Sequence, residues 1–412
     1  MLRLRRVAHT AWLRLLDFAY HSRWLLLSLT LALVGVSAIW IDVPIAVSAI
    51  LAFISLGLLW LEWRRHVGEL QALSFIARDG DRYDDVAAAY LDSSRFTFVA
   101  ANNQHVLLDR SVTRAIAGGG VTGRMASASY LLPHELKAGT RFRSLRIKRR
   151  DTYNGHLLGL DSNLDSAIDV SKEWRLAPAR YWDHLASDIM ATKIALRNGE
   201  PDATLGRALY VDRYGRLRDF GDSWLLNALG TSLLAITTDQ KLVIVAQSKW
   251  NESSGELLAP SSSGSLEPQD FRGAARLDIA VLAANGALRE LEEETGIRES
   301  DVAETAFLGF GRWIEKAAKP EMWTLARLDI DSHEVKRRRL LSHERVYTKG
   351  VNTVRLSEPA RWDVLNPHYV LEGTDPVMLS VPLIVGLRLL VEERARPQSI
   401  AGEILRRSID AR

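Results

Sequence analysis

Residues 286–297 read GALRELEEETGI, and this stretch decides the fold. Glu290, Glu293 and Glu294 stand at i, i+3 and i+4, so on a helix their side chains share one face. Three like charges that close together cost stability unless a cation offsets them. A divalent ion with hard oxygen ligands does so, and Mg²⁺ or Mn²⁺ is the usual partner of phosphate chemistry. Ala287, Leu288 and Leu291 supply apolar positions for a core, and Gly296 supplies a helix stop. The spacing predicts a helix over 277–295. A solvated acidic helix end is the plainer reading of a bare Glu run.

The flanking sequence alternates strand and helix signals. Residues 231–238 (TSLLAITT) and 241–247 (KLVIVAQ) are β-rich, and only Asp239 and Gln240 separate them, which predicts a hairpin. SSSGS at 261–265 reads as a loop. Strands are expected at 304–312 and 322–330, and an apolar helix at 381–393. Strands alternating with helices indicate an α/β class. Earlier in the chain, AGGG at 117–120 lacks the Lys-Ser/Thr ending of a P-loop and reads as a loop. RFRSLRIKRR at 141–150 holds six basic residues in ten. It reads either as a solvated strand face or as a phosphate-facing patch carried by Arg146, Lys148 and Arg149.

The first sixty residues have a different character. Residues 24–41 and 45–61 are runs of eighteen and seventeen residues without a charge, parted by Asp42, Val43 and Pro44. With Trp24, Trp40, Trp60 and Trp63 at their ends, they suggest a two-helix transmembrane hairpin. Arg3, Arg5, Arg6, Arg14 and Arg23 precede it, and Arg64 and Arg65 follow it. The positive-inside rule then places both termini in the cytoplasm of an inner-membrane protein. The expected organisation is a basic segment (1–23), the hairpin (24–63), a lead-in domain (64–225), an α/β domain (226–395) and a tail (396–412).

Composition sets outer bounds. The chain has 412 residues, with 53 Lys+Arg against 50 Asp+Glu, a formal net charge of +3. That balance gives no reason to expect a DNA or RNA polymer as partner. There are no cysteines, which excludes disulfides, thiolate metal sites and cysteine nucleophiles.

Residues 289–297, RELEEETGI, resemble the core of the Nudix box, G-x5-E-x7-R-E-U-x-E-E-x-G-U with U aliphatic. Arg289, Glu290, Leu291, Glu293, Glu294, Gly296 and Ile297 fit it. The front of the box departs from the pattern. Counting back from Arg289 puts Ala275 and Val281 where Gly and Glu belong. The alternative start is Gly264, which puts Asp270 at the Glu position, with Glu267 close by, and needs an insertion of eleven residues before Arg289.

The resemblance implies a Nudix-type α/β/α sandwich. It implies Mg²⁺ (or Mn²⁺) held by Glu290, Glu293 and Glu294, with Arg289, Glu293 and Glu294 catalytic. Residues 309–330 resemble a substrate-side strand and loop, with Lys319 and Glu321 joining Glu267 as ligand contacts. With the hairpin, the chain resembles the membrane-anchored Nudix effectors of cyclic-oligonucleotide-based antiphage signalling systems. That resemblance implies sensing of a cyclic nucleotide made by a partner nucleotidyltransferase. It also implies ligand-induced homo-oligomerisation and disruption of the lipid bilayer. A Mg²⁺-dependent hydrolase of nucleotide sugars or dinucleotides is the rival expectation.

Overall fold

The computed structural model describes residues 45–77, 83–149, 154–164, 173–248, 256–338 and 348–410. The chain is mixed α/β with several sheets and divides into two compact units. One unit comprises Met1–Asp79, Leu131–Tyr153 and Leu185–Arg207; the other comprises Gly80–Tyr130, Asn154–His184 and Ala208–Arg412.

In the first unit, α1 (Ile45–Gln71) leads into an antiparallel sheet of Leu73–Ile76, Ile194–Arg197 and Glu200–Pro201. The predicted second span lies in α1. Its uncharged run of seventeen residues reaches only about 25 Å at ~1.5 Å per residue, short of a ~30 Å hydrocarbon core. The same helix continues through Glu62, Arg64, Arg65 and Glu69. Among the described residues, no helix is long and apolar enough to cross a membrane. The expected transmembrane hairpin and the multi-pass inner-membrane placement are therefore corrected. The first predicted span, 24–41, lies outside the described residues. Outward on α1, Ile50, Phe53, Leu56, Trp60 and Leu61 are exposed.

The basic run 141–150 also differs from its reading as a strand. Its residues 141–149 belong to a helix, α2 (Ala138–Arg149), in which Phe142 is buried. Phe142 and Leu145, three apart, carry the helical period that the surrounding arginines mask.

The second unit is built on a nine-stranded sheet. In chain order its strands are β1 (Phe96–Ala101), β2 (Gln104–Asp109), β3 (Gly230–Ile236), β4 (Lys241–Gln247), β5 (Leu258–Ala259), β6 (Ser262–Ser265), β7 (Val302–Trp313), β8 (Lys319–Leu328) and β9 (Thr348–Arg355). The order across the sheet is β5-β4-β3-β8-β7-β2-β1, with β6 paired to β3 and β9 to β4. The β3–β8 pair is parallel, and the other pairs are antiparallel. A four-stranded sheet lies in the same unit, in the order Arg276–Asp278, Thr122–Met125, Glu173–Arg180, His156–Leu160.

The central strands are apolar on both faces because both faces are covered. Leu234 and Ile236 of β3, with Trp323 and Leu325 of β8, join a core with Leu383, Leu387, Leu390 and Leu405. These last belong to helices Val381–Arg394 and Ile400–Asp410. The second of these helices occupies the segment expected to be a tail. The alternate residues Leu233, Ala235, Ala326 and Leu328 pack with Ala287 and Leu291 of helix Ile279–Thr295 on the other face. For the site, four helices of this unit are named in chain order: αA (Arg110–Ala117), αB (Ile279–Thr295), αC (Val381–Arg394) and αD (Ile400–Asp410).

The predicted hairpin is present. Thr237 N–H donates to Lys241 O at 2.9 Å, closing the β3–β4 turn. SSSGS at 261–265, expected as a loop, is mostly strand β6. Its serines are absorbed by main chain: Ser261 Oγ donates to Val243 O at 2.6 Å, and Ser262 Oγ to Ala287 O at 2.8 Å. Small side chains there let αB lie close to the sheet.

Candidate functional site

Helix αB begins at an Asp278 cap, whose carboxylate accepts the Ala280 N–H at 2.7 Å. It ends at Gly296, whose φ of +74° suits a residue without a β-carbon. Ile279, Leu282, Ala283, Ala287 and Leu291 form its buried stripe, so Arg289, Glu290 and Glu293 are directed to its margin.

The two possible starts of the acidic motif lie in different surroundings. Val281 is exposed on the first turn of αB. Asp270 is buried at 3% exposure and meets Arg289 in a two-pronged contact. Arg289 Nε donates to Asp270 Oδ1 at 2.9 Å, and Nη2 to Oδ2 at 3.2 Å. The eleven inserted residues hold the short strand Arg276–Asp278 and the first turns of αB, and they leave this pair intact. Gly264 lies under Glu290: a β-carbon there would sit 2.0 Å from the Glu290 carboxyl carbon. Gly286 likewise admits Leu266 and Asp270 to the helix surface.

Arg289 is the hub. Nη1 donates to Glu290 at 2.9 Å and to Glu293 at 3.3 Å, and it lies 3.9 Å from Glu267. Nη2 also donates to Ser265 O at 2.9 Å. Burial works to lower the guanidinium's pKa, but the charges of Glu290, Asp270 and Glu267 outweigh it and hold the pKa above the usual arginine range. Glu294 is buried and accepts the Ser263 N–H at 3.1 Å. Asp270 itself accepts the Glu267 N–H at 2.7 Å, which fixes the loop before αB. A cleft of about 200 Å³ opens beside the pair, with Arg272, Asn285 and Glu299 on its walls.

Five carboxylates, those of Glu267, Asp270, Glu290, Glu293 and Glu294, thus share one loop-and-helix surface with one arginine. Their oxygens are the hard donors that Mg²⁺ and Mn²⁺ take. Among the described residues, no group of three or more His, Asp or Glu side chains is already arranged around an ion position. Glu290 and Glu293 point instead at Arg289 Nη1. The donor chemistry fits a divalent ion, and holding one requires these two carboxylates to turn from the arginine.

Other expected contacts lie elsewhere. Lys319 Nζ pairs with Glu321 at 2.7 Å, and Ser232 Oγ donates to Glu321 at 3.0 Å. Glu321 is two residues from Trp323, whose Nε1 donates to Pro382 O of αC. Thr231 and Gly264 face αB. Strand alternation therefore puts Lys319 and Glu321 on the αC face, away from the acidic surface. Arg146, Lys148 and Arg149 belong to the other compact unit. Arg146 is half-buried, and the side chains of Lys148 and Arg149 lie outside the described residues. Ser263 and Asn285 went unnoticed in the sequence. Both act through neighbours, Asn285 by donating to Asp270 O at 2.9 Å, and neither carries a motif. Compared with known proteins, the chain matches no family model and no curated protein.

Proposed function

We propose that the Gly264–Ile297 surface binds a divalent cation and a diphosphate, and hydrolyses a nucleoside diphosphate-linked compound such as a nucleotide sugar or dinucleotide. The observation that carries this reading is the buried Asp270–Arg289 pair beside Gly264 and Glu290. It supports a Nudix-like register that starts at Gly264 over contiguous counting from Arg289.

Glu290, Glu293 and Glu294 are the residues that would hold Mg²⁺. A bound ion supplies charge for the diphosphate oxygens and lowers the pKa of a water molecule. Arg289, braced by Asp270 and Ser265 O, fixes where the carboxylates stand. Glu293 is the most water-accessible of the three, at 28% side-chain exposure against 14% for Glu290. On this reading it accepts the proton that an attacking water gives up. Glu294 is anchored by the Ser263 N–H and keeps a fixed position.

The test is a panel of nucleotide sugars and dinucleotides incubated with the full chain. Release of a nucleoside monophosphate is expected with Mg²⁺ and not with EDTA. Glu293→Gln should slow it about a hundredfold or more. Cyclic di- and trinucleotides belong in the same panel. Binding of these without hydrolysis of any linear compound would favour a sensor and overturn the hydrolase.

A further inference from the structure

The sheet face opposite the acidic surface carries a basic cleft. Its floor is Leu108 of β2, Leu308 of β7 and Leu389 of αC, and its volume is about 500 Å³. Its rim is formed by Arg110 and Arg114 of αA with Arg396 beyond αC. An adjoining cleft of about 580 Å³ shares Arg110, Glu392 and Arg396 and adds Arg388.

The charges here do not balance. Glu392 is approached by three guanidiniums: Arg388 Nε at 3.2 Å, Arg110 Nη2 at 3.6 Å and Arg396 Nη2 at 3.8 Å. Arg396 has a second carboxylate, Glu393, at 2.7 Å. Arg114 meets no carboxylate among the described residues, and its Nε donates to Arg110 O at 3.2 Å. Asp363, the other acid on the adjoining wall, accepts from Asn366 Nδ2 at 2.7 Å and from the Leu365 N–H. Glu392 and Glu393 offset only part of the charge of Arg110, Arg114, Arg388 and Arg396, so positive charge is left for a further oxyanion. Arginine forks match phosphate oxygens two at a time. The clefts fall in the ~300–1,000 Å³ range of small-molecule sites, larger than a bare phosphate needs, and the leucine floor suits an apolar ring.

We propose that these two adjoining clefts together form a second binding site, for a small organic phosphate of the nucleoside monophosphate class. Arg110, Arg114 and Arg388 hold the phosphate, and Leu108, Leu308 and Leu389 support the uncharged part. The site needs no metal and is independent of the acidic surface, so it stands or falls separately from the hydrolase reading.

The experiment is calorimetric titration of the full chain, in EDTA, with adenosine monophosphate, inorganic phosphate and adenosine. Saturable binding of the monophosphate is expected, with inorganic phosphate weaker and adenosine weaker still. Arg388→Gln and, separately, the half-exposed Arg110→Gln should each weaken it about tenfold or more. Glu293→Gln should leave it unchanged. Arg110→Gln removes only a surface contact, so it keeps the test valid if Arg388→Gln unfolds. Absence of saturable binding by either phosphate overturns the proposal. So does binding that Arg110→Gln leaves intact, or that Glu293→Gln abolishes.

Discussion

Asp270 and Arg289 show how much one pair can determine. Asp270 is nearly sealed from water, and its partner is 16% exposed. Replacing the Asp270 carboxylate by an amide weakens the two charge-assisted hydrogen bonds from Arg289, which keeps Glu290 and Glu293, at a typical cost of about 1.5–3 kcal/mol. Asp270→Asn should therefore lower the urea midpoint and also slow hydrolysis, because Arg289 then drifts toward Glu290 and Glu293. The Glu spacing was legible in the sequence because helical geometry dictates it. The Asp270 partnership was legible only as one of two registers. A contact across nineteen residues, with an insertion between, depends on how β6 and αB pack. Asp239 offers a pH test. Burial would raise its pKa, but Lys241 Nζ at 2.8 Å, Ser332 and Thr237 outweigh burial and hold it well below its ordinary value of 3.8. Its contribution to stability is thus complete above about pH 5 and is lost progressively as pH falls below that. Urea stability measured at pH 6 and pH 3 should fall less for Asp239→Asn than for the parent chain.

Among the elements, αB was the most legible, expected over 277–295 and observed over Ile279–Thr295. Its stripe, cap and stop all agree with one another. Strand β6 was not legible, because serine and glycine carry no strand preference; its pairing is imposed by β3. The helix at Ala138–Arg149 was obscured by charge, and αD by its polar flanks. The fit of αB to the loop before it can be probed at Gly286. Alanine gains about 1 kcal/mol of helix propensity there. Its β-carbon would lie 2.3 Å from Leu266 Cδ2 and 2.9 Å from Asp270 Oδ2. Asp270 cannot yield while Arg289 and the Glu267 N–H hold it, and overpacking costs ~1–3 kcal/mol. Gly286→Ala should therefore be destabilising on balance, which chemical denaturation can check.

At the scale of the molecule, a formal charge of +3 hides a segregation. Carboxylates gather on the αB face of the sheet, and arginines gather on the αC face. The α/β class was legible because strand and helix periods alternate along the chain. The membrane hairpin inferred from hydropathy did not hold for α1, because its uncharged run stops short and the helix goes on through charged residues. The discontinuous units were not legible either, since β1 and β2 enter a sheet whose other strands lie more than a hundred residues later. The central claim is that the acidic surface takes a divalent ion. Manganese binding to the full chain, followed by electron paramagnetic resonance, tests it most directly. The account predicts saturable Mn²⁺ binding, displaced by Mg²⁺, weakened about tenfold or more in both Glu293→Gln and Glu294→Gln, and unaffected by Arg110→Gln. Absence of bound Mn²⁺, or an affinity unchanged in both glutamine variants, would contradict it.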